Sequence, residues 1–215
     1  MKMVLLPIWV KNMETKSSIR KKILAYRNTM PVEECTKKSM DIMNNLLSLF
    51  LLQKAEYILC YAGYKSEVMT TELTEELLKM GKQVYLPKVH GDEMDFYKIN
   101  SLTDLVEGYK GIPEPSLNCT DIFTKDILEK YPHQVVMLLP GAAFSESGAR
   151  IGYGKGYYDR YLERFFCEER IALCYEIQIV KKIPEDVHDI PVTAIVTEDK
   201  VRHILSSRES KCYFI

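Results

Sequence analysis

The sequence contains no apolar run approaching the roughly 18 residues that a membrane-spanning helix needs. The opening MKMVLLPIWV is too short, carries one lysine and an internal proline, and lacks the small-residue cleavage pattern of a secretory signal. Neither sign of charge is in excess: 29 Lys plus Arg stand against 30 Asp plus Glu, for a net charge of −1. No overall field therefore draws nucleic acid or an anionic membrane, and any anion site has to be built locally. The six cysteines form no CxxC pair, and several sit in apolar runs such as Ile58-Leu59-Cys60-Tyr61. They read as free thiols packed as small hydrophobes in a reducing, cytoplasmic compartment. A GxSxG elbow, a zinc-like His or Cys spacing, a GxxxxGK[ST] loop and a GxGxxG turn are all missing. There is no internal repeat and no low-complexity segment.

What is present suits one large soluble domain. The chain has 215 residues, 47% of them hydrophobic and 27% charged, enough to bury a core without disulfide or metal staples. Helical spacing and end signals predict helices over 16–29, 31–52, 70–80 and 157–166, with a weaker one over 121–129. Pro31 with Glu33 and Glu34 marks the second start, and Gly81 closes the third. Short apolar runs predict strands over 57–62, 83–86 (stopped by Pro87), 94–99, 135–139, 170–175 and 194–197. The stretch 108–115, GYKGIPEP, reads as loop. Strands alternating with helices imply an α/β domain with a mostly parallel sheet, whose ligands gather at the carboxyl ends of the strands. The expected organisation is an extension over 1–15, a domain over 16–205 and a tail over 206–215.

The residues most charged with chemistry lie just after the apolar run 135–139. Arg150 precedes three glycines at alternate positions, Gly152, Gly154 and Gly156, with Tyr153 and Lys155 between them and Tyr157, Tyr158 and Asp159 opening a helix. Glycines let backbone N–H groups approach a ligand, a helix start adds unpaired donors, and the two cations add full charge: together, a phosphate cradle. A tight turn with a solvated lysine is the plainer reading of the same residues. Lys16 and Arg20, four apart, share one helix face, which is either a second set of cations for that cradle or a solvated basic face. Glu67 follows a strand and is either an acceptor for ligand N–H groups or a surface acid. Asp159 and Asp189 suit Mg²⁺ beside phosphates, although a helix-start acid is also favoured by the dipole. His188, in HDIP, reads as structural.

The run LLPGAAFSESGARIGYGKGYYDRYL resembles the PGxAFxxxGxRxGxGxGYYDxxL signature of the 5-formyltetrahydrofolate cyclo-ligase family. Further matches follow in that family's order: Arg20 on a basic helix, Glu67-Val68-x-Thr70, Gly81-Lys82-x-Val84-x-Leu86-Pro87, Gly111-Ile112-x-Glu114-Pro115, and Gln178-x-Val180-x-x-Ile183-Pro184 before His188-Asp189. The resemblance implies a three-layer α/β/α sandwich and closure of 5-formyltetrahydrofolate, with or without a polyglutamate tail, to 5,10-methenyltetrahydrofolate. It implies ATP as co-substrate, Mg²⁺, no nucleic acid or membrane partner, and a monomer. Carried over residue by residue, Lys16, Arg20, Arg150, Gly152, Tyr153, Gly154, Lys155, Gly156, Tyr157 and Tyr158 would hold ATP. Glu67 and Tyr153 to Tyr157 would contact the folate, Asp159 and Asp189 would hold Mg²⁺, and Arg150 and Lys155 would stabilise the transferring phosphoryl group. Thr193 stands where that family commonly has an acid, which leaves Asp189 with more of the metal. A non-catalytic folate- or nucleotide-binding regulator and a sugar-phosphate isomerase on a similar sandwich are the alternatives.

Overall fold

The computed structural model describes residues 14–186 and 189–204. The expected extension up to residue 13, the tail over 206–215, and His188 lie outside the described residues. In chain order the elements are α1 (Lys16–Arg27), α2 (Val32–Leu47), α3 (Phe50–Lys54), β1 (Tyr57–Leu59), α4 (Thr71–Lys79), β2 (Gln83–His90) and β3 (Glu93–Ile99). There follow β4 (Leu105–Glu107), β5 (Pro113–Pro115), α5 (Lys125–Lys130), β6 (Val135–Leu139), β7 (Ala143–Ser145) and β8 (Arg150–Ile151). The last are α6 (Tyr157–Arg164), β9 (Glu169–Leu173), β10 (Ile179–Val180), β11 (Ala194–Val196) and β12 (Val201–His203).

One seven-stranded sheet, ordered β12-β11-β9-β6-β1-β2-β3, forms the middle layer. Its inner five strands are parallel, and only β12 and β3, at the edges, run antiparallel to their neighbours. All five residues of β6 are buried, and their alternation divides the core. Val136 and Leu138 join Ile58, Ile171 and Leu173 against Ile42 and Leu46 of α2 and Leu73 and Leu77 of α4. Val135, Met137 and Leu139 join Leu59 and Ala172 against Tyr161 and Leu162 of α6. Helices on both faces make the three-layer sandwich that the resemblance implies, around the mostly parallel sheet that the apolar runs predict. A smaller sheet, β10-β7-β8, sits beyond the end of β6 and carries α1, through Ile19 and Ile23 on Ala142, Ala143, Ala149 and Ile151.

Several expectations change. Pro87 does not stop its strand, because β2 continues to His90. The Tyr85 carbonyl accepts from Cys60 N–H, on the β1 side. Two residues on, Pro87 faces that same side, where β1 has already ended, so no partner lacks its missing N–H. The helix expected over 31–52 breaks after Leu47 and resumes at Phe50. At the break the Ser48 hydroxyl donates to Asn45 O at 2.7 Å, a local bond that competes with the helix ladder. The weak helix near 121–129 is instead Lys125–Lys130, capped by the Thr124 hydroxyl, which accepts from Ile127 N–H. The loop at 108–115 contains half of a two-stranded ribbon, β4 on β5, hidden from pattern reading by its Pro-Glu-Pro sequence. Among the described residues no helix is long and apolar enough to cross a membrane.

The direction of winding reverses between β1 and β6. From β1 the chain proceeds to β2 and β3 on one side, and from β6 to β9 and β11 on the other. Such a switch point opens a crevice at the carboxyl ends of its two strands. Here those ends lead into residues 60–67 and 140–159. In the layer below, Tyr161 is 1% exposed between Phe96 and Phe165, and its hydroxyl has no hydrogen-bond partner among the described residues. Tyr161→Phe is therefore expected to raise the unfolding free energy by about 1 kcal/mol, since the stranded hydroxyl has been desolvated for nothing; chemical denaturation gives the sign.

Candidate active site

The crevice at the switch point is a cleft of about 640 Å³. Its lining includes every site residue proposed from sequence: Lys16, Arg20, Glu67, Arg150, the run Gly152 to Asp159, and Asp189. Three walls meet there. One is α1, the second the loop after β1, and the third the turn from β8 through the glycine ladder into α6.

The ladder turns because Gly154 and Gly156 adopt positive φ, +93° and +67°. Gly156 is the N-cap of α6. Each ladder glycine also leaves room for a guanidinium. A Cβ would meet Arg150 Nη1 at 3.1 Å on Gly152, Arg20 Nη1 at 3.3 Å on Gly154, and Arg160 Nη1 at 2.9 Å on Gly156. The three arginines then bond the turn from outside. Arg20 Nε donates to Gly152 O (2.8 Å) and Arg160 Nη1 to Lys155 O (2.8 Å). Arg150 is buried and its Nη2 donates to Asp159 Oδ1 at 2.5 Å, across the base of the ladder. Its guanidinium also lies 5.7 Å from the centre of the Tyr158 ring. Arg160 Nη2 and Tyr157 Oη reach further, to Asp92 O (2.7 Å) and Gly91 O (3.2 Å) in the β2–β3 turn.

Lys155, at the crest, is exposed and makes no ion pair or side-chain hydrogen bond among the described residues. Arg150 and Lys155, taken together from sequence as phosphoryl-stabilising cations, are therefore placed differently. Arg150 is committed to Asp159 beneath the loop, whereas the Lys155 ammonium is uncommitted.

The two carboxylates expected to share a metal are each tied to a cation of their own, Asp159 to Arg150 and Asp189 to Lys16 Nζ (2.5 Å). Lys16 also reaches Asp186 at 2.7 Å. Partial burial lowers the Lys16 pKa, but its two carboxylate partners more than offset this and the net shift is upward. Among the described residues no three His, Cys, Asp or Glu side chains form a group that could hold a metal ion. Asp159 and Asp189 engage their cations through one carboxylate oxygen each, Oδ1 and Oδ2 respectively.

In the loop after β1 Glu67 accepts Tyr64 N–H (2.9 Å) and faces the Tyr153 hydroxyl. Burial raises its pKa, against the pull of Tyr153, of Tyr64 N–H and of Arg27. The Tyr153 ring is 42% exposed, but its hydroxyl is held inside, accepting from Arg27 Nη1 (2.8 Å) and donating towards Gly141 O (3.3 Å). Burial pushes the phenols of Tyr153 and Tyr158 upward, so both stay neutral. The loop carrying Glu67 is pinned by Thr70, whose hydroxyl donates to Tyr61 O and accepts from Gly63 N–H.

Other lining residues were not singled out from sequence: Arg27, Tyr61 and Tyr64, and Tyr109, Lys110 and Glu114 of the β4–β5 ribbon. Arg27 carried a readable signal. Positions 16, 20 and 27 fall within one narrow stripe of a 3.6-residue helix. The ribbon carried none, since its sequence reads as loop.

The sequence model of the 5-formyltetrahydrofolate cyclo-ligase family matches residues 12–198. The chain belongs to this family. It is 32% identical over 180 residues to the 5-formyltetrahydrofolate cyclo-ligase of Escherichia coli K12, covering 81% of this chain and 96% of that protein. It is 26% identical over 194 residues to the cyclo-ligase of Mus musculus, covering 86% and 94%. The fold matches the NMR structure of Aquifex aeolicus 5,10-methenyltetrahydrofolate synthetase with a TM-score of 0.77 and 36% identity, over 90% of this chain and 94% of that one. The cyclo-ligase signature thus coincides with the ladder and its three guanidiniums.

Gly154→Ala is expected to cost about 1–3 kcal/mol, because the backbone there is left-handed and the new methyl group presses on Arg20. The same variant should weaken anion binding at the ladder. Denaturant midpoints and isothermal titration with a nucleoside triphosphate check the two effects separately.

Proposed function

We propose that the cleft closes 5-formyltetrahydrofolate to 5,10-methenyltetrahydrofolate, with ATP converted to ADP and phosphate. The observation that carries this reading is the pairing of an uncommitted ammonium, Lys155, on a glycine-lined turn with a half-buried carboxylate, Glu67, across one cleft. Family membership and the names of the relatives point to the same reaction. A polyanion needs the first group, and a ring rich in N–H donors needs the second.

On this reading Lys16, Arg20 and the backbone from Gly152 to Tyr158 hold the triphosphate. Glu67 accepts from ring N–H groups of the folate, and Tyr153 to Tyr157 line its path. The formyl oxygen attacks the γ-phosphorus, the bond to the β,γ-bridging oxygen breaks, and ADP leaves. N10 then attacks the activated formyl carbon and loses its proton, the carbon–oxygen bond breaks, and phosphate departs. The protein supplies position and charge rather than covalent chemistry. Lys155 faces the negative charge that accumulates on the transferred group. Arg150 acts one step back, holding Asp159 and the base of the ladder. Asp159 and Asp189 would hold Mg²⁺ beside the phosphates, since it takes one or two carboxylates together with phosphate oxygens. Bound there, it would neutralise phosphate charge.

Incubating the protein with 5-formyltetrahydrofolate, ATP and Mg²⁺ should generate the near-ultraviolet absorbance of the methenyl product, with one ADP per turnover. A well-folded protein giving no such product would sink the reading. Lys155→Ala should keep its fold and lose about 100-fold or more in kcat. A near-normal kcat would remove Lys155 from its role. Because burial raises the Glu67 pKa, the acid limb of kcat/KM should lie above the ordinary glutamate range, with activity lost as pH falls through it.

A further inference from the structure

Arg27, the last residue of α1, is 3% exposed. It lines the cleft but has no carboxylate within ion-pair distance among the described residues. Its bonds all go to neutral acceptors: Nε to Ser66 Oγ (3.1 Å), and Nη1 to Gly141 O (3.1 Å) and the Tyr153 hydroxyl (2.8 Å). Its guanidinium carbon also lies 5.5 Å from the centre of the Tyr153 ring. A guanidinium withdrawn from water without a counter-charge is costly, and a sheet-edge packing role calls for no cation.

The counter-charge is one residue beyond its partner Ser66. Arg27 binds both the Tyr153 hydroxyl, which Glu67 faces, and Ser66, the residue before Glu67, so guanidinium, phenol and carboxylate lie in a row. The groups facing Glu67 come from every neighbouring wall. They are Tyr64 N–H from its own loop, Tyr61 from beyond β1, Tyr153 from the ladder, Tyr158 from α6 and Arg27 from α1. Tyr175 donates to the Glu67 backbone carbonyl (3.2 Å). Lys65, next in sequence, lies over the Tyr64 ring, 5.0 Å from its centre. Burial keeps the phenols of Tyr61, Tyr153 and Tyr158 neutral, which leaves Arg27 as the cation that favours an ionised Glu67.

We propose that Arg27 is a positioning residue for the folate: through Tyr153 and Ser66 it holds Glu67 in place and in its charged, accepting form. This rests on the reading of Glu67 as the folate contact. Arg27 need not touch the nucleotide, so its removal should separate the two substrates kinetically.

The sign follows from the row. Without the cation, burial acts on Glu67 with less opposition, its pKa rises further, and the accepting form is lost at a higher pH. Steady-state kinetics on Arg27→Met should therefore show KM for 5-formyltetrahydrofolate raised about tenfold, KM for ATP unchanged, and the acid limb of kcat/KM moved to higher pH. Tyr153→Phe, which keeps the fold but removes the hydroxyl, should move the limb the same way. In a Glu67→Gln background the limb disappears, and Arg27→Met should then cause no further pH-dependent loss. Arg27→Lys, retaining the charge, should restore most of the limb's position.

An acid limb unmoved in both Arg27→Met and Tyr153→Phe overturns the inference. So does an equal rise in both KM values, which marks general damage. If Arg27→Met fails to fold, the Tyr153→Phe and Arg27→Lys limbs decide. Wild-type protein without turnover overturns the parent reading and this one with it. An active wild type with a normal Glu67→Gln removes Glu67, whereas an active wild type with a normal Arg27→Met removes only Arg27.

Discussion

The bond between Arg150 and Asp159 closes the base of the glycine ladder, and the shape of the cleft follows from it. Arg150 ends the path from β6 through the small sheet, and Asp159 sits in the first turn of α6. Joining them brings strand and helix within a few ångströms and forces the eight intervening positions to bulge into the cleft. Only a turn with left-handed positions can do this, which accounts for Gly154 and Gly156. The arginine side chain, 4% exposed, is buried by the bulge that it creates. Removing one partner would leave the other charge stranded, a loss of about 3–5 kcal/mol for a buried pair. That figure is an upper bound here, since the Asp159 side chain is 38% exposed and solvent screens it.

A second layer of arginines extends the same logic. Arg20, Arg150 and Arg160 each occupy the space that a ladder glycine leaves empty, and Arg20 and Arg160 donate to backbone carbonyls of the turn. The glycines therefore do two things at once: they let the turn reverse, and they make room for planar cations. This was invisible in the sequence, where glycine spacing argues only for a turn and a close approach. Which side chain fills the space depends on residues two to more than a hundred positions away.

Other features were legible for clear physical reasons. The central strands could be read because parallel strands buried on both faces are unbroken apolar runs, as in Val135–Leu139. The ladder could be read because its chemistry is local. Glu67 and Asp189 stayed ambiguous until the resemblance was added, since a lone acid in a loop has no pattern of its own. The sequence reading failed where backbone donors are missing or strands are short. Pro87 stays in its strand because its neighbour has ended, and Pro-Glu-Pro forms a ribbon because only one partner is needed. The small sheet escaped because two of its strands have two residues each. Asp159 and Asp189 each hold an ion pair of their own, with Arg150 and Lys16, partners that spacing along the chain does not reveal.

The cations of the cleft can be ranked by what it takes to redirect them to a ligand. Arg150 cannot leave Asp159 without exposing a buried charge to an apolar wall. Lys16 can, since its pairs with Asp186 and Asp189 are partly solvated and such pairs contribute little to stability. Arg20 holds a carbonyl through Nε alone, which leaves both terminal nitrogens beside Gly154. Lys155 has nothing to give up. A protein of net charge −1 gains no attraction for a polyanion at long range, so a site ordered in this way substitutes for a field. On the proposed reading Lys155 would meet the anion first, Lys16 and Arg20 would follow by exchanging weak partners, and Arg150 would stay as the strut beneath the ladder. Arg27 stands outside that sequence, because its charge is answered by Glu67 rather than by phosphate. On that reading the ladder, with Lys155, Lys16 and Arg20, would take the anionic nucleotide, and Glu67 with Arg27 behind it would take the donor-rich ring, so that the two ligands share the 640 Å³ without exchanging places.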